Sequence, residues 1–475
     1  MGSYSSRNTD GQLSFFIEFL KLGHRFKPWV EDCPLSYKSN NAPQKIDVLG
    51  SLFLSVLSGH NRYSHMTALR GDTVNTQLLG MNKVISDCSA IRALKKMDEK
   101  SAISWLQTHL SSCYEPLLTT PWILDVDVTV KPIYGHQEGA KIAYNPHKPG
   151  RPSHTYHSYM MANTRLFLEV DVQSGDQSHS SHSMPGLVNL LDRLPEGGQP
   201  AFIRGDCDWG NDPVMTELEE IGQHYLFKLR KSKRVQQLIS KVHDIGEWTI
   251  FNRDWELKES VLELQGWKQS RRVVIARRRL PNSSVIGLEY DKNGQKELAL
   301  VDGEDDIRLY EYAVLVTNLD SDVVSLMQHY RDRADCENNF DETKNQWGWG
   351  GYVTQHLQTS QIMARVVALV YNWWNLFVRL AIPEKHHEAI TSRPLLLSSV
   401  GRLTSSNRQR FMTITSTHAD TKTIQRAYER INAFFSDLKL TATQLTPQQC
   451  WCLIATKSME VFMLQKPPDG LPQSI

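Results

Sequence analysis

Along the first 115 residues apolar positions recur in clusters spaced like helix turns: Phe15-Phe16-Ile17 with Phe19-Leu20, then 48–57, 84–96 and 102–110. Polar stretches such as Ser39-Asn40-Asn41-Ala42-Pro43 separate them, which predicts a helical region. The period changes after Pro121. Trp122-Ile123-Leu124-Asp125-Val126-Asp127-Val128-Thr129-Val130 alternates apolar and polar residues, as a strand with one buried face does, and puts Asp125, Asp127 and Thr129 on a shared face. Strands are predicted at 155–161 and 166–172 about a turn at Asn163-Thr164, a helix at 185–194, and strands at 201–205 and 224–230.

From about 235 to 318 the pattern becomes a series of short β-like runs, at 248–251, 261–264, 272–276, 285–290, 297–301 and 308–317. This segment reads as a mostly β insertion. The most apolar run, 362–382, is interrupted by Arg365, Asn372, Asn375 and Arg379, which predicts a buried helix rather than a membrane span. A polar stretch with Arg402, Arg408 and Arg410 follows, then amphipathic helices near 423–438 and 448–464. The expected division is 1–115, 116–234, 235–318, 319–384 and 385–475, with the second and fourth segments forming one α/β core.

Composition narrows the picture only slightly. A chain of 475 residues can bury a large core and hold several domains. With 53 basic against 52 acidic residues, no whole-chain field announces a nucleic-acid partner, so any DNA surface must be local. Seven cysteines without a Cys-x2-Cys pair suggest reduced thiols, and the polar start of the chain shows no secretory signal. A cytoplasmic protein is expected.

Candidate chemistry concentrates in Tyr330-Arg331-Asp332-Arg333-Ala334-Asp335-Cys336-Glu337-Asn338-Asn339-Phe340-Asp341-Glu342-Thr343-Lys344. On one continuous helix Tyr330, Arg333, Glu337 and Lys344 share a stripe roughly 60° wide. A carboxylate between two cations can ligate a metal while its neighbours grip phosphate oxygens. Upstream, Asp125 and Asp127 repel each other on one strand face unless something cationic sits between them. A third acidic point is Ala201-Phe202-Ile203-Arg204-Gly205-Asp206-Cys207-Asp208-Trp209-Gly210, an apolar strand ending in Asp before a helix. Basic residues gather at Lys228, Arg230, Lys231, Lys233 and Arg234, and again at Lys268, Arg271 and Arg272 beside Trp267. Taken singly, each of these also fits a solvated face, a helix cap or ordinary core.

The spacing Tyr-x2-Arg-x3-Glu-x6-Lys resembles the signature of the YREK group of bacterial insertion-sequence DDE transposases. The segment Tyr134-Gly135-His136-Gln137-Glu138-Gly139-Ala140 with Tyr144-Asn145-Pro146 and Lys148-Pro149-Gly150 is similar to the loop after that group's first catalytic Asp. The resemblance covers roughly 120–380. It implies an RNase H-like catalytic core, a mixed sheet flanked by helices, with a mostly β insertion domain between helical N-terminal and C-terminal regions. It maps the catalytic, metal-binding acids to Asp127, Asp206 and Glu337, with Asp125 and Asp208 as alternatives. Tyr330, Arg333 and Lys344 would contact DNA, joined by Lys228, Arg230, Lys268, Arg271 and Arg272. An insertion-domain Trp would stack on a flipped base, with Trp267 chosen over Trp248 and Trp255; such stacking is worth roughly 1–3 kcal/mol.

The cofactor implied is Mg2+, two ions per site, with Mn2+ as a substitute. The implied partners are double-stranded DNA, both terminal inverted repeats and target, and a second subunit in a homodimeric synaptic complex, with no membrane. The implied setting is the nucleoid of a bacterial host. The N-terminal helices would read the DNA ends, and the C-terminal helices would help pair subunits. Two other readings are an RNase H-like nuclease without strand transfer and a domesticated DNA-binding protein that keeps only end recognition.

Overall fold

The computed structural model describes residues 5–8, 10–118, 121–145, 148–280, 288–290, 296–298, 307–406, 409–414 and 420–464. After a short strand β1 (Ser5–Asn8), the N-terminal region is helical: α1 (Leu13–Leu22), α2 (Phe26–Glu31), α3 (Lys45–Leu57), α4 (Thr73–Leu79), α5 (Asp87–Lys96) and α6 (Glu99–Tyr114). The later helices start at residues chosen for the task. Asp72, Ser86 and Asp98 accept hydrogen bonds from the first free backbone N–H groups of α4, α5 and α6. Gly80 ends α4 at φ 73°, a left-handed conformation open to glycine.

The central sheet begins where the period changes. It contains β2 (Ile123–Pro132), β3 (Lys141–Ile142), β4 (Pro152–Met161) and β5 (Leu166–Ser174), followed by α7 (Ser180–Arg193), β6 (Phe202–Gly205), α8 (Asp212–Glu220), β7 (Tyr225–Lys228) and α9 (Lys233–His243). Strand β4 runs antiparallel to β2, β3 and β5, whereas β6 runs parallel to β2 and β7 parallel to β6. The order β5-β4-β2-β6-β7 is that of an RNase H-like core, with helices against a mixed sheet.

The β-rich segment continues this sheet. Strands β8 (Thr249–Ile250), β9 (Trp255–Leu262) and β10 (Arg271–Arg279) precede a separate hairpin of β11 (Leu288–Tyr290) and β12 (Lys296–Leu298), and β13 (Tyr310–Thr317) follows it. Through β13, which pairs antiparallel with β7, the order runs on as β7-β13-β10-β9-β8, ten strands in all. Positions 285–287 and 299–301 of the predicted runs lie outside the described residues.

The remaining elements are α10 (Val323–Arg331), α11 (Ala334–Gln346), α12 (Leu357–Ala381), α13 (Ala389–Leu396), β14 (Gly401–Ser406), β15 (Gln409–Ile414), α14 (Thr421–Thr441) and α15 (Pro447–Leu464). Strands β14 and β15 form a three-stranded sheet with β1, joining the two ends of the chain. Strand β15 pairs with its chain neighbour β14, whereas β1 gains its bonds from the remote β14.

Helix α12 is the centre of the helical body and also the cover of the sheet edge. Phe16 packs edge-on against Trp374 with centroids 5.1 Å apart, and Phe19 against Trp451 at 5.8 Å. The polar residues that interrupt its apolar run face the edge strand β5 and its preceding turn. Asn372 accepts from the Phe167 N–H at 2.9 Å and donates to the Phe167 carbonyl at 2.8 Å, and Asn375 donates to the Thr164 carbonyl at 2.8 Å. Unpaired groups of a strand edge are thereby satisfied by side chains. Among the described residues no helix is long and apolar enough to cross a membrane.

Candidate active site

Parallel pairing of β2 and β6 aligns Asp125 with Arg204 and brings the two acidic motifs to neighbouring strands. Asp127 lies near the middle of β2, and Asp206 directly follows the last residue of β6. Arg333 joins this edge to the signature segment. Its Nη2 donates to Asp127 Oδ2 and its Nη1 to Glu337 Oε1 at 3.2 Å. The guanidinium is buried, whereas the Glu337 side chain is 68% exposed. Arg165, in the turn after β4, donates from Nε to both Asp335 oxygens at 3.0 Å and so holds the start of α11 against the sheet.

The electrostatics mark a convergence of acids. Burial pushes the Asp127 carboxyl up to about 6; Arg333 opposes this, and repulsion from Asp206 and Glu337 adds to it. Burial is the largest influence on Arg333 and works against its charge, but Asp127 together with Cys336, Tyr330 and Asp125 holds the guanidinium above its ordinary value. Lys344 is lowered by burial, with Asp127 and Asp341 pulling the other way. Tyr330 is pushed up to about 12, chiefly by burial.

The signature is not one continuous helix as its spacing predicts. Helix α10 ends at Arg331 and α11 starts at Ala334, with Asp332 and Arg333 between them. Both residues keep right-handed helical angles, but Arg333 N bonds to the Tyr330 carbonyl at 3.2 Å and Cys336 N to the Arg333 carbonyl at 2.9 Å. These three-residue bonds tighten the chain at the residue that reaches across to β2.

Each of the two alternative acids is engaged elsewhere. Asp125 is 2% exposed and accepts two bonds from Arg204, at 2.6 and 2.7 Å. Asp208 accepts from the Ser180 N–H at the start of α7 and from Arg230. Sequence reasoning missed Arg204. The available signal was an Arg two residues before one acid and an Asp two residues before the other, on strands that pair in parallel.

A cleft of about 730 Å³ contains Asp127 and Asp206 in its wall, together with Lys228, Arg230, Lys344 and Tyr144. The basic group expected around Trp267 is placed elsewhere. Arg271 is buried in ion pairs with Asp212 at 2.6 Å and Glu219 at 2.7 Å, and lies 5.2 Å from the Trp267 ring centre. Arg272 pairs with Glu259 at 2.8 Å and also donates to the Leu319 and Ser321 carbonyls. Lys268 lies 3.4 Å from Glu220. These cations tie β10 to α8 and β9. Of the other tryptophans, Trp248 has Arg277 over its ring at 3.9 Å, and Trp255 has Arg278 at 5.2 Å.

The donor set suits a hard divalent cation. Asp127, Asp206 and Glu337 offer carboxylate oxygens, Asp127 is raised by burial first and by the other two acids in addition, and a cation, Arg333, already stands between two of them. Among the described residues, no three His, Cys, Asp or Glu side chains converge closely enough to hold an ion outright.

Comparison with known proteins bears on this arrangement. No curated protein sequence matches the chain. Among solved structures it is similar to a piggyBac transposase in a cryo-EM synaptic complex with hairpin DNA, at 11% identity and a TM-score of 0.42, over 100% of this chain and 90% of that one. The family described as transposase DDE domain group 1 matches residues 20–435. Since that match spans most of the chain, including both Asp motifs and the signature segment, the protein belongs to the transposase DDE domain group 1 family.

Proposed function

We propose that this DDE transposase is of the YREK-signature type, with Asp127, Asp206 and Glu337 as its acids. It binds the terminal inverted repeats of its element, cleaves the ends and joins the 3′ ends to target DNA. The observation that carries this reading is the Arg333 bridge between Asp127 on β2 and Glu337 on α11, beside a cleft that holds Asp206 and Lys344.

Asp127, Asp206 and Glu337 would hold the metal, Mg2+ by preference and two ions per site, with Mn2+ as a substitute. When bound, such ions activate an attacking oxygen and stabilise a leaving oxygen at phosphorus. The chain's own residues position the DNA. Lys344 and Lys228 line the cleft as phosphate contacts, and Arg230 can add a third on release from Asp208. Arg333 bridges two of the acids and, on release from them, would offer its planar donors to a phosphate, with Tyr330 beside it.

Each step is an in-line displacement: one P–O bond forms as another breaks, and the leaving oxygen takes a proton. Water first nicks the end. The freed 3′-hydroxyl then attacks the opposite strand to form a hairpin, water opens it, and the regenerated 3′-hydroxyl attacks target DNA. A homodimer that pairs two ends belongs to this reading.

The test is cleavage of a labelled duplex carrying the element's end, with Mg2+, by the intact protein and by Glu337→Gln. Cleavage lost in the variant, with binding kept, supports the assignment; equal cleavage by both sinks it. Nicked DNA without hairpin or joined product would instead favour a nuclease.

A further inference from the structure

The loop between β2 and β4 carries a surface that the catalytic residues do not explain. It is tied down at several points. The Glu138 N–H donates to the Gln355 carbonyl at 3.0 Å, and the Leu357 N–H at the start of α12 donates to Glu138 Oε2 at 3.1 Å. The Gly175 N–H donates to the Gly139 carbonyl at 3.0 Å, and Lys141 and Ile142 pair with β4 as β3.

From this anchored base three large side chains project into solvent: Tyr134 at 67%, Ile142 at 67% and Tyr144 at 71% exposure. Scattered exposed apolar residues are ordinary, but three on one anchored loop form a patch.

The patch is cationic as well as aromatic. Lys148 Nζ and Arg151 Cζ each lie 4.9 Å from the centre of the Tyr134 ring, and Lys148 also donates to the Tyr134 hydroxyl. One ring therefore gathers two exposed cations that would otherwise repel. The acid Glu138 points its carboxylate to the N-terminus of α12 and leaves the positive charge of the loop unbalanced. Tyr144 is set apart from this pair: its ring lines the cleft that holds Asp127, Asp206 and Lys344. Asn145 Oδ1 accepts from the Lys148 N–H at 3.0 Å and so links the residue after Tyr144 to one of the two cations.

An exposed aromatic residue that lines a cleft, with two cations gathered on the same loop, suits a nucleotide whose base is free to stack. Paired duplex DNA keeps its base faces covered and presents only backbone to such a surface.

We propose that this loop binds an unpaired nucleotide of the strand that enters the cleft, with Tyr144 stacked on the base and Lys148 and Arg151, gathered over Tyr134, on the phosphate. The proposal rests on the strand-processing reading above.

The test is equilibrium binding without metal, read by fluorescence anisotropy, in a Glu337→Gln background. The probes are a blunt duplex of arbitrary sequence and the same duplex with three unpaired thymidines at one 3′ end. The overhang probe is expected to bind about tenfold tighter than the blunt one. Tyr144→Ala removes that preference and Tyr144→Phe keeps it, while Lys148→Ala with Arg151→Ala weakens overhang binding. Equal binding of both probes by the parent protein, or a preference unchanged in Tyr144→Ala, overturns the proposal. Absence of cleavage by the intact protein would sink the transposition mechanism and leave a Tyr144-dependent preference standing. Cleavage without that preference sinks this proposal alone.

Discussion

Arg204 on β6 and Asp125 on β2 form a doubly bonded, fully buried ion pair, 1% and 2% exposed, and the same guanidinium donates to the His329 carbonyl near the end of α10. Asp125 stands two residues before Asp127, Arg204 two before Asp206, and His329 one before Tyr330. One buried group thus ties together the three segments that carry the candidate catalytic residues. Desolvation of such a pair is costly, and removing one partner leaves the other charge buried without compensation. Arg204→Met or Asp125→Leu alone is expected to lower stability by about 3–5 kcal/mol in urea unfolding, while the double variant recovers most of it. Single variants as stable as the parent would contradict this.

Arg333 touches two of the three acids, so its removal should act on chemistry more than on binding. Arg333→Ala is expected to slow single-turnover cleavage of a labelled end by about 10²–10³-fold with end binding retained. Arg333→Lys should not restore the rate, because an ammonium cannot span Asp127 and Glu337 as a planar fork does.

The two sets of basic residues should separate in salt titrations of DNA binding. Lys344→Ala and Lys228→Ala, each removing one phosphate contact, are expected to reduce the slope of log affinity against log salt by about 0.9. Arg271→Ala should leave the slope unchanged and lower stability, since its charge is consumed by Asp212 and Glu219. A slope change in Arg271→Ala would return that residue to the DNA surface.

His157 supplies a pH dependence of stability. It is buried on β4 between Thr155 and Ser183, and burial lowers it to about 4. Between pH 4 and 6.5 the unfolded chain binds a proton that the folded chain refuses. Stability therefore falls as pH drops through this window, by about 3 kcal/mol at most. His157→Gln should lose that part of the acid sensitivity, read as a flatter plot of unfolding free energy against pH. A slope identical to the parent's would reject the assignment.

Asn372 covers both backbone groups of Phe167 on the edge strand. Asn372→Leu leaves a buried N–H and C=O without partners, and a loss of about 2–6 kcal/mol is expected from chemical denaturation. A loss below about 1 kcal/mol would mean that other groups satisfy the edge.

The candidate acids were legible because each sits in a pattern of short range. The period-two strand with Asp125 and Asp127, the apolar strand ending at Asp206 and the dense charged segment around Glu337 are visible in the sequence as segments, while the choice of one acid in each rests on the family resemblance. The helix break at Asp332-Arg333 was not legible, since neither residue is a Gly or Pro that would stop a helix and the tightening accompanies a reach to a strand some 200 positions away. The pairing of β1 with β14 was hidden for a similar reason: Ser5-Ser6-Arg7-Asn8 has no apolar residue to announce a strand, and its partner lies near the other end of the described residues.

The amino-acid sequence by itself determined the locally encoded part of this protein: the switch from helical to alternating periodicity near Pro121, the acidic strand ends, the signature spacing and the buried character of α12. These follow from side-chain order along a few turns or one strand. Only the tertiary structure decided which charge meets which. Strand register delivered Asp125 to Arg204, β13 carried β8–β10 into the central sheet, and α8 claimed Arg271 through Asp212 and Glu219. The charge pairs join residues more than fifty positions apart, and each charge had several opposite partners in the chain, so the choice belongs to geometry that local spacing does not contain.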